Sequence, residues 1–509
     1  MAATDTGLLI LDRAAALRPA HGFSLDRIDR RFLVAALASL LAVRLAAVFW
    51  LPFVDTTEAR YAEIARKMLE TGDWITPQFD YGVPFWGKPP LHTWLSALGM
   101  KIFGVGPFGA RIFILASAVA VLALVFGWVR RQRGRDEALL ATVVLASSVL
   151  FLGASAFVMT DMVMVLGTTF CMVAFYNCVT DTASRSAWGH LFFVGIAVGL
   201  LAKGPVALLL TAIPILMWLA IGRRWRRLAA LPWASGLIIA AVLTLPWYAA
   251  AEIRTPGFLR YFLIGEHFDR FTVSGWQGDL YGSGHARTKG MIWLYALGMF
   301  LPWTLFAAAP LPRGRAVLAT VLRDRDGWHS YLALWALSPL ILFTPAANIL
   351  GAYVLPGLPA AAILLVSLWA AAWGGPGRWA RAAGALAIGS VAALFLAVSL
   401  LSIVAPQTLR LKTERELVAA ARAADPQVRF TYWGSRSYSA EFYTGGKVAF
   451  TTSASAIEAL ARNGVRDAVA VREADTATLA PRLAGEFTRV GPFGRRVLFI
   501  EKPAVEVTP

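Results

Sequence analysis

A chain of 509 residues that is 58% hydrophobic and only 16% charged is not an ordinary soluble protein, in which roughly a quarter of residues carry charge. Its formal net charge of +17 would suit nucleic acid only if the basic residues made one contiguous face or a known binding module, and the sequence has neither. They collect in short breaks between apolar runs, "RRQRGR" at 130–135, "RRWRR" at 223–227, "RGRAVLATVLRDR" at 313–325 and "RWAR" at 378–381, which is the Lys/Arg pattern of cytoplasmic loops in membrane proteins.

In chain order, residues 1–31 are polar, carry Arg13, Arg18, Arg27, Arg30 and Arg31, and show no cleavable leader; they are expected to form a cytoplasmic tail. Apolar runs follow near 32–53, 108–129, 137–157, 160–179, 188–202, 205–222, 229–250, 289–309, 328–345, 350–373 and 382–404. By the bilayer-length criterion these predict about eleven transmembrane helices. Cys171 and Cys178 stand seven apart on one of these helices, about 10 Å along its axis, too far for a disulfide between them. With the amino terminus inside, all four Arg-rich breaks fall on the cytoplasmic side. Residues 54–107, the "AKGP" corner near 203, residues 251–288, the "PAANILG" break near 348 and everything after 404 then fall outside. Residues 32–404 thus read as one α-helical membrane domain. Residues 405–509 read as a small external α/β domain, with strands in "VRFTYWG", "KVAFTT", "DAVAVRE" and "RVLFIE" and a helix in "ASAIEALARNG" ended by Gly464.

The first external loop is unusually charged. "DTTEARYAEIARKMLETG" has Tyr61, Ile64, Ala65, Met68 and Leu69 at helical spacing, with Gly72 as a stop. It predicts an amphipathic helix lying in the membrane surface, and Asp55 with Glu58 three residues on resembles a capping box. Further along, Lys88 precedes Pro89 and Pro90, which suit a helix's first turn. The macrodipole disfavours a cation there unless an anion joins it. Lys203 before Pro205 repeats this grammar, with interfacial snorkelling as the bland alternative for both lysines. The second long loop, "EHFDRFTVSGWQGDLYGSGHARTKG", carries His267, Arg270, His285, Arg287 and Lys289, with Glu266 and Asp269 as possible ion-pair partners. No metal-ligand spacing accompanies His267. Asp161 interrupts apolar sequence, where an ionisable residue is costly and functional by default; a helix cap is the other account of it.

"TEARYAEIARKMLETGDW", "GKPPLHTWL", "LLAKGPVALLL", "GEHFDRF" and "AYVLPGLPA", in this order, resemble the bacterial glycosyltransferases of the aminoarabinose transferase and protein O-mannosyltransferase kind, over residues 32–373. The resemblance implies the GT-C fold and a sugar donor linked to polyprenyl phosphate. It further implies inverting transfer at the periplasmic face of the inner membrane, onto lipid A, another envelope glycan or a protein Ser/Thr. Asp55 or Glu58 would act at the reaction centre, the choice between them open. Lys88, Arg270 and Tyr353 would hold the donor phosphate, with Lys203 beside them, and Asp161 would line the acceptor or sugar side. Arg60, Tyr61, His267 and Asn348 are further substrate-site candidates. Gly87 stands where aminoarabinose transferases typically carry Glu, which leaves a divalent metal unassigned. Two other classes compete: a flippase of polyprenyl-linked sugars, which calls for ionisable residues near the membrane midplane, and a non-enzymatic envelope scaffold.

Overall fold

The computed structural model describes residues 24–282, 284–373, 377–460 and 463–503; residues 1–23 of the expected tail lie outside them. All eleven apolar runs are helical over most of their length. Among the described residues, eight helices are long and apolar enough to cross a membrane, and Val206–Ile221 and Trp328–Phe343 are shorter apolar helices. The chain is a multi-pass membrane protein.

Two runs depart from a single span. The run at 137–157 divides into Arg135–Ala146 and Val149–Ala154, because the Ser147 and Ser148 hydroxyls bond back to the carbonyls of Val143 and Leu145, the competition by which serine weakens helices. The run at 289–309 stops at Met299, ahead of Pro302, which has no N–H for the ladder. The basic segment 313–325, expected as a loop, is helical over Gly314–Leu322, with Leu318 and Leu322 exposed.

Small residues let the central helices approach closely. A Cβ on Gly167 would stand 2.7 Å from the backbone nitrogen of Gly199, and one on Gly195 2.7 Å from the Cys171 sulfur, the close-backbone packing that associates helices in lipid. Cys171 and Cys178 are both free and buried. The basic segments meet at one end of the bundle: Arg30 pairs with Asp136 at 2.8 Å, Arg381 with Asp26 at 2.8 Å, and Arg224 reaches the Arg325 carbonyl at 3.2 Å.

The other end gathers the two long loops and the carboxyl-terminal region. Helix Thr57–Thr71 ends at Gly72, which takes a left-handed φ of 69°, as its sequence predicted. Its polar face is covered by protein and not left exposed as the sequence pattern suggested. Glu58, Ala59 and every residue from Tyr61 to Met68 are buried, because Ala97 and Met100 of helix Leu91–Phe103 cover one side while Phe442 of helix Tyr438–Thr444 joins the same core. Nor does Asp55 cap it: Thr56 occupies that position, with no side-chain cap.

The carboxyl-terminal region carries a five-stranded mixed sheet. Val448–Thr451, Arg429–Trp433 and Asp467–Arg472 run parallel, followed by Arg496–Glu501 and Phe487–Phe493 in antiparallel order. The edge strand Phe487–Phe493 was not among the expected strands; Gly491 and Pro492 break its alternation, which an edge tolerates. Helix Ala454–Leu460 matches "ASAIEAL", but its expected end runs into residues 461–462, outside the described ones.

Candidate active site

A cavity of about 340 Å³ opens where the two loops, the ends of four helices and the carboxyl-terminal region converge. Lys88, Lys203, Arg60 and Arg270 bring four cations to its wall, and Asp161, Glu266 and Asp279 bring three carboxylates.

Lys88 precedes helix Leu91–Phe103, whose N-cap is Pro90. Its Nζ donates to Glu266 Oε2 at 2.6 Å and to its neighbour's carbonyl, Gly87 O, at 2.5 Å. Glu266 is buried and also accepts from Arg270 Nη1 at 3.1 Å and from the Tyr261 hydroxyl at 3.2 Å. Arg270 Nη1 lies 3.3 Å from Asp279 Oδ2 as well. Burial pushes the Glu266 carboxyl up, but Lys88 and Arg270 outweigh this and hold it below its ordinary value. Burial opposes the Arg270 charge, yet the guanidinium pKa is raised because Glu266 faces it. One buried carboxylate thus holds Lys88 and Arg270 side by side.

Lys203 is the last residue of helix Arg185–Lys203, where the macrodipole favours a cation, as well as the residue ahead of Gly204 and Pro205. Its Nζ is 2.5 Å from Asp161 Oδ1 and 4.8 Å from the centre of the Tyr353 ring. Asp161 lies in the first turn of Thr160–Thr180 without making a side-chain cap; its charge serves Lys203. Tyr353 sits in the 3-10 turn Gly351–Gly357.

The remaining expected residues divide. Asn348 lines the cavity, but both of its amide hydrogens are committed, to the carbonyls of Arg270 at 2.6 Å and Val273 at 2.8 Å, so it positions the loop that carries Arg270. His267 also lines it; its Nδ1 lies 2.7 Å from Phe262 O, and burial pushes its pKa down to about 4, leaving a neutral ring. Arg60 donates to Tyr281 O and lies 5.4 Å from the Tyr61 ring and 5.9 Å from the Tyr438 ring. Its Nε is buried and has no partner among the described residues.

Of the two carboxylates expected at the reaction centre, neither lines the cavity. Asp55 turns to the carboxyl-terminal region, accepting from Ser437 Oγ at 2.7 Å, Ser439 N at 2.9 Å and Ser439 Oγ at 3.0 Å. Glu58 is 2% exposed and receives a bidentate fork from Arg111, both bonds 2.7 Å. Conversely, Asp279, Tyr281 and Tyr438 reach the cavity unforeseen. The first two sit in the Gly-rich stretch "GWQGDLYG", whose irregular path gives no periodicity to place a side chain. Tyr438 arrives from the carboxyl-terminal region, more than 150 residues further along the chain.

Among the described residues, no group of three His, Cys, Asp or Glu could hold a metal ion. At Gly87 a Cβ would stand 2.9 Å from the Phe85 ring, so the residues present do not fit a metal site built on a side chain there.

Charged residues are gathered at one end of a polytopic helical bundle, beside a small mixed sheet, in a multi-pass membrane protein. The comparisons agree. Residues 28–262 match the family model described as dolichyl-phosphate-mannose-protein mannosyltransferase. An undecaprenyl phosphate-alpha-4-amino-4-deoxy-L-arabinose arabinosyl transferase of Edwardsiella ictaluri is 31% identical over 354 residues, 67% of this chain and 61% of that protein. One of Pseudomonas fluorescens is 31% identical over 325 residues, 62% of this chain and 53% of that protein. The chain therefore spans little more than half the length of these relatives. Among solved structures, ArnT from Cupriavidus metallidurans bound to undecaprenyl phosphate superposes with a TM-score of 0.73 at 20% identity, covering 92% of this chain and 98% of that one. The Archaeoglobus fulgidus oligosaccharyltransferase in its apo form gives 0.51 at 13% identity, covering 94% and 75%. The chain thus shares the fold of these structures and is similar in sequence to the aminoarabinose transferases and, over residues 28–262, to the protein mannosyltransferase family.

Proposed function

We propose that this protein moves a monosaccharide from a polyprenyl-phosphate carrier to a phosphate-bearing acceptor such as lipid A, at the periplasmic face of the bacterial inner membrane. The observation that carries the reading is the pair Lys88–Arg270 held on buried Glu266 where membrane helices end. A lysine has three N–H donors and an arginine five; Gly87, Glu266 and Asp279 engage only some of them. The rest are available to a phosphate. Lys88 and Arg270 would neutralise the charge that grows on the departing carrier phosphate, with the Tyr353 hydroxyl as a further donor. The acceptor oxygen attacks the anomeric carbon from the face opposite the phosphate, the C1–O bond to the carrier breaks, and the carrier leaves as polyprenyl phosphate, through an oxocarbenium-like state.

The cavity's carboxylates favour an anionic acceptor. Asp161, Glu266 and Asp279 each sit within 3.3 Å of a lysine or arginine nitrogen, so each carboxylate is engaged by a cation and none stands free to take an acceptor proton. A Ser or Thr hydroxyl would need its proton removed; a phosphate monoester offers an oxygen already charged. Asp161 then positions the acceptor rather than deprotonating it. The gathering of Arg-rich segments at the opposite end supports a cytoplasmic amino terminus and a periplasmic carboxyl-terminal domain.

The test incubates purified protein with extracted polyprenyl-phosphate sugars and follows transfer to lipid A and to protein by mass spectrometry. Transfer to lipid A that falls by at least about a hundredfold in Lys88→Ala and Arg270→Ala supports the reading, since each removes charge stabilisation of the leaving group. Transfer to protein alone would assign the acceptor to Ser/Thr hydroxyls. Donor binding without transfer to either would overturn catalysis in favour of a flippase.

A further inference from the structure

We propose that the carboxyl-terminal domain completes the sugar subsite of this cavity, with Tyr438 as a specificity-determining residue that packs against the sugar ring. The inference rests on the lipid-linked donor reading above. Tyr438 is the first residue of helix Tyr438–Thr444 and the one cavity-lining residue contributed from beyond residue 404 among those described. It extends an aromatic wall of Tyr61, Phe85 and Tyr281: Phe85 lies 4.6 Å from Tyr281 and 6.0 Å from Tyr61, and Phe79, outside the cavity lining, bridges Tyr438 at 5.9 Å and Tyr281 at 5.0 Å, all between ring centres. Arg60 is held against this wall with its buried Nε unpartnered, a donor that a sugar hydroxyl would satisfy. Charged groups on one wall and aromatic faces on another suit an amphipathic ligand. A glycosyl phosphate has an anionic end, and its sugar ring presents C–H faces that pack on aromatic rings.

Tyr438 is not free to swing away. Ser437 caps its helix by accepting from Ala440 N, and the Asp55 carboxylate accepts from Ser437 and Ser439. Arg436 lies 5.3 Å from the Tyr438 ring and is paired with Glu441, which also holds Lys67 of helix Thr57–Thr71 at 3.2 Å. Asp55 therefore acts as a positioning residue for the roof of the site.

The experiment is native mass spectrometry of the full-length protein in detergent, with bare undecaprenyl phosphate and extracted polyprenyl-phosphate sugars in competition. Wild type is expected to prefer the sugar-bearing lipids, and Tyr438→Leu, which keeps bulk but loses the aromatic face, to lose about fivefold of that preference. Affinity for the bare phosphate should stay unchanged, because Lys88 and Arg270 are untouched. Tyr438→Phe should keep the preference, and an unchanged melting temperature in both variants separates this loss from misfolding. Preference retained in Tyr438→Leu, or absent from wild type, overturns the proposal. Wild type that binds neither lipid overturns the donor reading beneath it instead.

Discussion

Asp161 and Glu58 are both buried acids bound to a cation, and their surroundings assign them different work. Asp161 meets Lys203 at the cavity wall; Glu58 meets Arg111 away from it. If the acceptor is a phosphate, Asp161→Asn leaves transfer reduced by about tenfold, because positioning is weakened while no proton transfer is lost. A loss beyond about a thousandfold would instead mark Asp161 as the general base. Glu58→Gln is predicted to act through folding. It leaves the Arg111 guanidinium buried without its counter-charge, which costs roughly 3–5 kcal/mol. Melting temperature and active fraction should then fall together, with the turnover of the folded fraction retained; a normal melting temperature with lost turnover would return Glu58 to the chemistry. At this scale Lys88 and Lys203 were legible in the sequence as cations expected outside at Pro-started helix ends, and Arg270 through the family resemblance. Which carboxylates hold them was less so. Asp55 and Glu58 are nearer to Lys88 in sequence than Glu266 is, yet the fold directs them to Ser437 and Arg111.

Helix Thr57–Thr71 shows how an element can be recognised correctly and its surroundings misjudged. Its apolar spacing and Gly72 stop fixed the helix, but spacing cannot reveal that a domain more than 300 residues later covers the polar face. That face holds Lys67, 1% exposed on its side chain, between Glu441 at 3.2 Å and Glu63 at 3.7 Å, with the Phe79 carbonyl at 3.0 Å. Lys67→Ala takes one of two cations from each of two buried carboxylates, Glu63 keeping Arg66 and Glu441 keeping Arg436, and is predicted to cost about 1–3 kcal/mol. Removing Glu441 as well should recover part of that loss, a coupling that a double-mutant cycle on thermal unfolding reads directly. Additive losses would mean that the pair contributes nothing jointly. The apolar runs were easier to place, because a bilayer imposes both length and composition; their two breaks followed from Ser147–Ser148 and Pro302, whose local chemistry outweighs hydropathy.

At the scale of the whole molecule, the carboxyl-terminal sheet region is joined to the helical bundle by polar contacts. Phe53 N donates to the Tyr443 hydroxyl at 2.8 Å, Arg415 donates to Trp50 O at 2.7 Å, and Asp55 holds Ser437 and Ser439. Behind Ser439, whose hydroxyl accepts from Glu414 N at 3.2 Å, the Glu414 carboxyl is buried beside Arg496, Asp55 and Tyr432. Burial drives its pKa up from 4.5 to about 7; Arg496 pulls it down and Asp55 pushes it up. Its Oε2 has no partner among the described residues. Asp55 is raised too, again by burial, against the pull of its serine bonds. An acid whose folded pKa lies above its unfolded one keeps its proton longer in the folded state, so stability falls as pH rises between the two values. For Glu414 that contribution is complete below about pH 4.5 and gone above about pH 7, with a slope of up to about 1.4 kcal/mol per pH unit for one proton. Melting temperature measured from pH 5 to 8 should therefore decline, and Glu414→Gln, neutral throughout, should flatten the decline. The same slope in wild type and variant would place the titrating group elsewhere. A flattened slope would assign the titration to Glu414, and since neighbouring Asp55 and Ser439 hold Tyr438 over the cavity, preference for sugar-bearing lipids should weaken over the same pH range.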